Sequence, residues 1–226
     1  MKDLTPRLAA VAALVRPGGR VADIGTDHAY LPVWLVQNGH CPSAIASDIG
    51  EGPAASAQRT ISEAELSHLI PVRVGDGLAP IQPDEVEDIA IAGMGGETIA
   101  AILEAAPWVR HERYHLVLQP MSKPERLRRF LLENGFFIEN EIVMAEGERL
   151  YCVMSVTFTG ETKAPSLADC IIGQIPHTPQ GVAYLQKQGG RIAERLAGLP
   201  NRQEYAAERA ELAEAADRLS TWFNSN

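Results

Sequence analysis

The chain has 226 residues, 46% of them hydrophobic and 22% charged, and a formal net charge of −9. That length and balance describe one globular domain with room for an appendage, and they exclude a largely disordered chain or a disulfide-stapled miniprotein. The acidic total also excludes a protein that holds nucleic acid by bulk charge; any such binding needs a local basic patch. Cys41, Cys152 and Cys170 form no CxxC pair, so neither a zinc ribbon nor a disulfide framework is expected, no metal is expected, and the compartment reads as reducing. No apolar run is long enough to span a bilayer. The stretch LAAVAALV (Leu8–Val15) follows Lys2 and Arg7 and stops at Arg16; it reads as a helix rather than a signal-peptide core, which makes a cytoplasmic protein without a membrane partner the expectation.

Through residue 140 the chain alternates apolar strand-like runs with amphipathic segments. RVADIG (20–25) is a short buried strand between Gly18-Gly19 and Gly25, followed by a helix over about 29–38. SAIASDI (43–49) is a second strand, and the Ala-rich 54–64 suits a helix. IPVRVGD (70–76) and DIAIAG (88–93) are the third and fourth strands, the latter followed by the helix ETIAAILEA. YHLVLQP (114–120) is the fifth, and KPERLRRFLLENG is its helix, with Pro124 at the start and Gly135 past the end. FFIENEIVMAEGERLYCVMSVTF then reads as two strands joined near Glu146-Gly147.

Strands alternating with helices imply crossover units and an α/β fold built on a mostly parallel sheet. Five such repeats closed by a strand–strand pair give seven strands, the order of the Rossmann-like sheet of class I methyltransferases. GETKAPS (160–166) is a polar linker. Beyond it, Leu185, Ile192, Leu196 and Leu199, then Tyr205, Leu212 and Leu219, lie at helical spacing on either side of Pro200-Asn201, which predicts a C-terminal helical hairpin. Two units are therefore expected, 1–160 and 161–226. The first holds nearly all the acidic surplus, whereas the second carries Arg191, Arg195, Arg202, Arg209 and Arg218 along its length.

In an open α/β sheet, ligands bind beyond the carboxyl ends of the strands. The first strand ends D-I-G-T-D-H-A-Y; Gly25 lets a backbone approach a ligand, and the following helix turns its amides toward it. The second strand ends in Asp48, an acid suited to both hydroxyls of a ribose. The third ends G-D-G-L, placing Asp76 where an adenine amine can donate. The fourth ends G-M-G-G, where Met94 can cover an adenine face. The first turn is not GxGxxG, and Asp27 next to it opposes a diphosphate; S-adenosyl-L-methionine, a sulfonium with an amino-acid end, fits better than a dinucleotide.

VADIGTDHAYLP, the pairs Asp48-Ile49 and Gly52-Pro53, VRVGDGL, IAIAGMGG and LVLQP together resemble the bacterial tRNA (adenine(22)-N1)-methyltransferase family over roughly residues 4–155. The resemblance implies S-adenosyl-L-methionine as cofactor and tRNA as partner. It implies that Asp23, Gly25, Asp48, Ile49, Asp76, Gly77, Gly93, Met94 and Gly95 frame the cofactor, and that Arg7 folds over the cofactor or an RNA phosphate. It places Asp27, His28 and Tyr30 toward the methyl group and the target base, with Gln119 on the same rim. The tail, including IIGQIPHTPQG, matches the family only as a helical hairpin after the catalytic part.

The residues also narrow the kind of methyl transfer. After the fourth strand, G-M-G-G stands where amine-methylating enzymes carry a [DNS]-P-P-[YFW] grip. No cysteine stands at a strand end, as carbon-5 pyrimidine methylation needs. Adenine N1 has an in-plane lone pair and requires exposure and alignment more than a strong base. Methylation leaves a cation on the ring, and Asp27 is the candidate to stabilise it, with His28 orienting the base and Tyr30 stacking on it. Lys123, Arg126, Arg128 and Arg129, with Arg191 and Arg195 of the tail, are the candidate phosphate contacts. Plain structural roles remain open for several of these: His28 as a helix-start residue, Tyr30 as core, Gln119 as a satisfied amide, and Lys123–Arg129 as a solvated helix face. A methyltransferase acting on another RNA or a small molecule, and a non-catalytic cofactor- or RNA-binding module, are the competing functions.

Overall fold

The structure, a computed structural model, describes residues 3–225; Lys2 of the amino-terminal basic pair lies outside them. In chain order the elements are α1 (Pro6–Leu14), β1 (Val21–Ile24), α2 (Tyr30–Gln37), β2 (Ala44–Asp48), α3 (Glu51–Glu63), β3 (Val72–Val74), β4 (Asp88–Gly95), α4 (Gly96–Glu104), β5 (His115–Ser122), α5 (Pro124–Glu133), β6 (Phe136–Glu146), β7 (Arg149–Phe158), α6 (Leu167–Ile172), α7 (Pro179–Gly198) and α8 (Ala206–Asn224). Local chemistry sets many boundaries. The Thr5 hydroxyl accepts the Leu8 N–H and Pro6 opens α1; Thr178 accepts from Gly181 and Pro179 opens α7; Ser166 and Asp169 form a reciprocal capping box on α6.

Seven strands form one sheet in the order β3-β2-β1-β4-β5-β7-β6. Neighbours from β3 to β5 are parallel, and β7 runs antiparallel to both β5 and β6. This is the class I methyltransferase arrangement, a Rossmann-like sheet ending in a strand pair. The expected run of five strand–helix repeats needs one correction: β3 passes to β4 through turns alone. Gly75, Gly77, Pro80 and Pro83 interrupt that segment, and a helix cannot propagate through them.

Each face of the sheet buries its own apolar cluster. Val11, Val15, Leu31, Leu35 and Ile61 from α1, α2, α3 and the residue after α1 pack on Val21, Ala46, Ala90 and Val117. On the other face, Ile91, Leu116, Leu118 and Met154 meet Leu103 and Leu127, and the same cluster continues into Leu185, Ile192, Leu212 and Leu219 of the tail. At about 1.5–3 kcal/mol for each fully buried aliphatic side chain, this shared core ties the tail to the sheet. The tail contains the expected hairpin, α7 and α8, preceded by the short α6, which the polar 160–166 stretch concealed. Among the described residues, no helix is long and apolar enough to cross a membrane.

Two buried polar networks brace the fold. At the base of the sheet, Asp88 takes His115 Nδ1 (3.0 Å), the Arg16 backbone N–H (2.8 Å) and Arg16 Nε (2.7 Å). Burial works against its charge, but the His115 and Arg16 hydrogen bonds outweigh it and hold Asp88 below the usual carboxylate range. At the joint with the tail, Arg128 is 1% exposed and pairs with Glu141 at 2.9 Å. Its guanidinium also donates to the carbonyls of Cys170 (2.7 Å) and Ile171 (3.2 Å) at the end of α6, while Glu141 accepts the Gln174 N–H. Gly173 ends α6 with a φ of +56°, and an added Cβ there would overlap both Arg128 and Glu141.

Removing one partner of this pair strands a buried charge. Arg128→Met is expected to lower unfolding stability by about 3–5 kcal/mol, read from denaturant titration. The double change Arg128→Met with Glu141→Met should recover much of the loss; a double variant as unstable as the single one would show that the stranded Glu141 charge is not the cause.

Candidate active site

The chain runs outward from β1 to β2 and β3, then returns to β4 on the other side of β1. The exits of β1 and β4 therefore diverge and leave a crevice beyond their carboxyl ends. There β1 turns at Gly25, whose φ is +78°. The Gly25 and Thr26 N–H groups both donate to the Ser47 carbonyl at 2.8 and 2.9 Å, tying this turn to β2. The Met94 methyl lies directly over Gly25, so any side chain at that position would collide with it. The Thr26 hydroxyl is buried, bonds to Asp23 and accepts the Ala29 N–H (3.1 Å) ahead of α2.

A cavity of about 640 Å³ opens at these strand ends, and Gly25, Asp48, Ile49, Asp76, Gly77 and Met94 line it together. Six of the ten residues expected around the cofactor thus converge on one space. Ser47 and Thr98 also line it. Ser47 Oγ is buried and has no hydrogen-bond partner within the protein, an orphan acceptor and donor at the edge of the cavity. Asp48 spends one carboxylate oxygen on the Gly50 N–H (2.7 Å). Ile49 is 68% exposed, an apolar side chain with nothing over it. The glycine cradle, the orphan hydroxyl and the carboxylate at the β2 end fit an adenosyl cofactor. Asp23 lies beneath the turn, 7% exposed. Burial pushes it up to about 6, the Thr26 hydrogen bond and Arg7 opposing and Asp48 reinforcing the rise.

Arg7, Gly93 and Gln119 form a second group beside the cavity. Gln119 Oε1 accepts from Arg7 (3.1 Å) and from the Gly93 N–H (3.0 Å), and its amide nitrogen donates to the Pro120 carbonyl (2.9 Å). Gln119 is fully buried. This corrects the expectation that it faces the target base: both ends of its amide are engaged with protein, so it holds the irregularity in β4 at Gly93 in place. Arg7 also pairs with Glu146 at 3.5 Å, and Arg7 Nε and Glu146 Oε1 are buried without hydrogen bonds. Glu146 stands at the tip of the β6–β7 pair and escaped sequence reading, since nothing local links it to α1. Gly95 caps α4 beside the Ser122 hydroxyl.

Asp27 and His28, in the turn between Gly25 and α2, are exposed and 3.4 Å apart, and neither lines the cavity. The His28 ring stacks on Tyr30 with centroids 5.2 Å apart. Tyr30 also lines a separate groove between α2 and α3, with Trp34 and Thr60. Of the expected phosphate contacts, Lys123, Arg126, Arg191 and Arg195 are exposed. Arg129 is half-buried and donates to the Pro165 carbonyl at 3.2 Å. Arg128 is a correction: its guanidinium is sealed in the core against Glu141 and cannot reach RNA. All three cysteines are buried as free thiols, and burial pushes Cys152 up to about 11, which leaves it protonated and unfit as a nucleophile.

Comparison with known proteins places this geometry. A methyltransferase-domain family model matches residues 4–154. The Bacillus subtilis tRNA (adenine(22)-N(1))-methyltransferase is 40% identical over 151 residues, which cover 67% of this chain and 63% of that protein. Similarity of structure extends through the tail. The B. subtilis m1A22 tRNA methyltransferase superposes with a TM-score of 0.85 at 29% identity, covering 97% of this chain and 98% of that one. Streptococcus pneumoniae Sp1610 in complex with S-adenosyl-L-methionine superposes with a TM-score of 0.81 at 32% identity, covering 97% and 99%. The chain belongs to the tRNA (adenine(22)-N1)-methyltransferase family.

Proposed function

We propose that this protein transfers a methyl group from S-adenosyl-L-methionine to N1 of the adenine at position 22 of tRNA, in the cytoplasm. The observation that carries the reading is the convergence of the Gly25 turn, Asp48, Asp76 and the unpartnered Ser47 hydroxyl on one cavity beside the G-M-G-G exit of β4. The cofactor supplies an electrophilic methyl on a sulfonium. Asp48 would hold the ribose hydroxyls, Asp76 the adenine amine, and Ile49 and Met94 the faces of that ring. Asp23, with Arg7 near it, sets the charge beneath the Gly25 turn where the amino-acid end would lie.

The target adenine would enter past Asp27 and His28. Its N1 attacks with its own lone pair, so alignment is the main requirement. A cation develops on the ring as the bond forms, and Asp27, 70% exposed in the turn after Gly25, would stabilise it. His28, stacked on Tyr30, orients the base. Lys123, Arg126, Arg129, Arg191 and Arg195 supply phosphate contacts on an otherwise acidic protein. Mass spectrometry of nucleosides from tRNA incubated with the protein and cofactor tests the reading: 1-methyladenosine is expected, and it should vanish when A22 is replaced. Methyl transfer to other acceptors only, or cofactor binding without transfer, would overturn it.

Asp27→Ala should lower kcat by about 10²-fold, the scale of a lost electrostatic contact at the reacting centre, with cofactor affinity nearly unchanged. Equal losses in kcat and cofactor affinity would instead make Asp27 a cofactor ligand.

Asp23 generates a pH dependence. Burial raises its pKa in the fold to about 6, above the ordinary carboxylate value of 3.8, so ionisation is disfavoured there. Stability is greatest below the unfolded pKa, falls as pH rises from 4 toward 6, and then levels off. A cationic ligand end near Asp23 favours the ionised carboxyl, so cofactor affinity should weaken as pH falls below 6, by at most about tenfold per unit. Calorimetry between pH 5 and 7, where the cofactor amine stays protonated, checks this. Asp23→Asn should flatten the profile, and a flat wild-type profile would remove Asp23 from the linkage.

A further inference from the structure

A second cavity, of about 470 Å³, lies between the end of β5 and α7. Its floor is apolar and aromatic: Leu150, Tyr151, Ile171, Tyr184 and Leu212 line it. Met121 forms a lip and is 39% exposed, one of only four exposed large hydrophobic side chains among the described residues. The rim is basic. Lys123, Lys187, Arg191 and Arg195 all line the cavity, and Glu125 is the one acid among its lining residues. Lys187, Arg191 and Arg195 recur every four residues, so α7 presents them as one stripe.

Two of these charges are uncompensated. Lys187 Nζ donates to the neutral Glu148 carbonyl at 3.1 Å. Arg191 has no ion-pair partner among the described residues. Lys123 and Arg195 are in exposed pairs with Glu97 and Glu208, at 2.5 and 2.7 Å; such pairs are weak, and a phosphate can replace the carboxylate. A protein of net charge −9 thus gathers positive charge around one apolar hollow. The complementary occupant has an anionic backbone and a flat apolar body, which describes a nucleotide with its base unstacked from its neighbours.

The position ties this hollow to the methylation site. Met94 pairs with Pro120 and Gly95 with Ser122 across β4 and β5. Met94 lines the first cavity, while Pro120 and Ser122 line the second. The two spaces therefore open from adjacent strand ends, roughly 5 Å apart in the sheet.

We propose that this cleft holds the nucleotide next to the methylated adenosine, with its base on the Leu150–Tyr151–Tyr184 floor and its phosphates on Lys187 and Arg191. The proposal rests on the tRNA methyltransferase reading and adds a second base-binding subsite, built jointly by the sheet and the tail.

The test uses the full chain and a tRNA transcript. Gln188, on α7 and lining the cavity, is replaced by Trp to fill the space; Lys187→Ala with Arg191→Ala removes the charge. The charge variant should bind tRNA about tenfold more weakly and lower the salt slope of binding by about two, with cofactor affinity unchanged. Q188W should weaken tRNA binding and kcat/KM about tenfold at an unchanged salt slope. Removing the base next to the target should weaken wild-type binding similarly, and add nothing to Q188W, because both changes delete the same contact. Wild-type-like binding by Q188W, or the same abasic loss in both proteins, overturns the subsite. If the variants weaken tRNA binding as stated while the wild type methylates nothing, the subsite stands and the enzymatic reading falls.

Discussion

The constraint on which the rest depends is the reversal of strand order between β1 and β4. Two parallel strands lie side by side, and the chain leaves them in opposite directions. No connection can cover the gap between their ends, so the crevice is open by topology. The sequence then furnishes it with residues that tolerate a close ligand. Gly25 takes a backbone conformation that side chains resist, Ser47 brings an unpartnered hydroxyl, and Asp48 ends β2 on the same edge. Each side chain reaches the site because its strand ends there, and the apolar cores on both faces fix the strand register.

The catalytic demand on such a site is modest. A ring nitrogen with its own lone pair needs no activated nucleophile, which agrees with the absence of a reactive thiol among the three buried cysteines. What the protein must supply is alignment and tolerance of a new positive charge. Much of the surrounding structure serves position. Gln119 ties Arg7 to the Gly93 backbone, and Glu146 holds Arg7 from the far end of the β6–β7 pair.

RNA recognition meets a different obstacle, the acidic surface. In the proposed reading the answer is local: basic side chains of α7 line one cavity with the β5 exit. That arrangement is useful only if the tail keeps its angle to the sheet. The continuous apolar cluster and the Arg128 contacts to the end of α6 supply the rigidity. Arg128 therefore has a structural duty, although it sits in a run of basic residues that reads as an RNA contact.

The strand and helix order was legible in the amino-acid sequence because alternating apolar runs, caps and glycine or proline stops are local signals. That Asp48, Asp76 and the Gly25 turn line one cavity could be anticipated from sequence, because all three stand at the carboxyl ends of parallel strands. The tertiary structure alone decided the roles of Gln119, Arg128, Ser47 and Glu146, which depend on partners far away in the chain. Arg128 and Arg129 are neighbours in a segment rich in basic residues, yet only Arg128 points into the core, because a helix turns each successive side chain by about 100°. Burial and long-range pairing are properties of the packed chain, and a linear pattern carries only the periodicity that permits them.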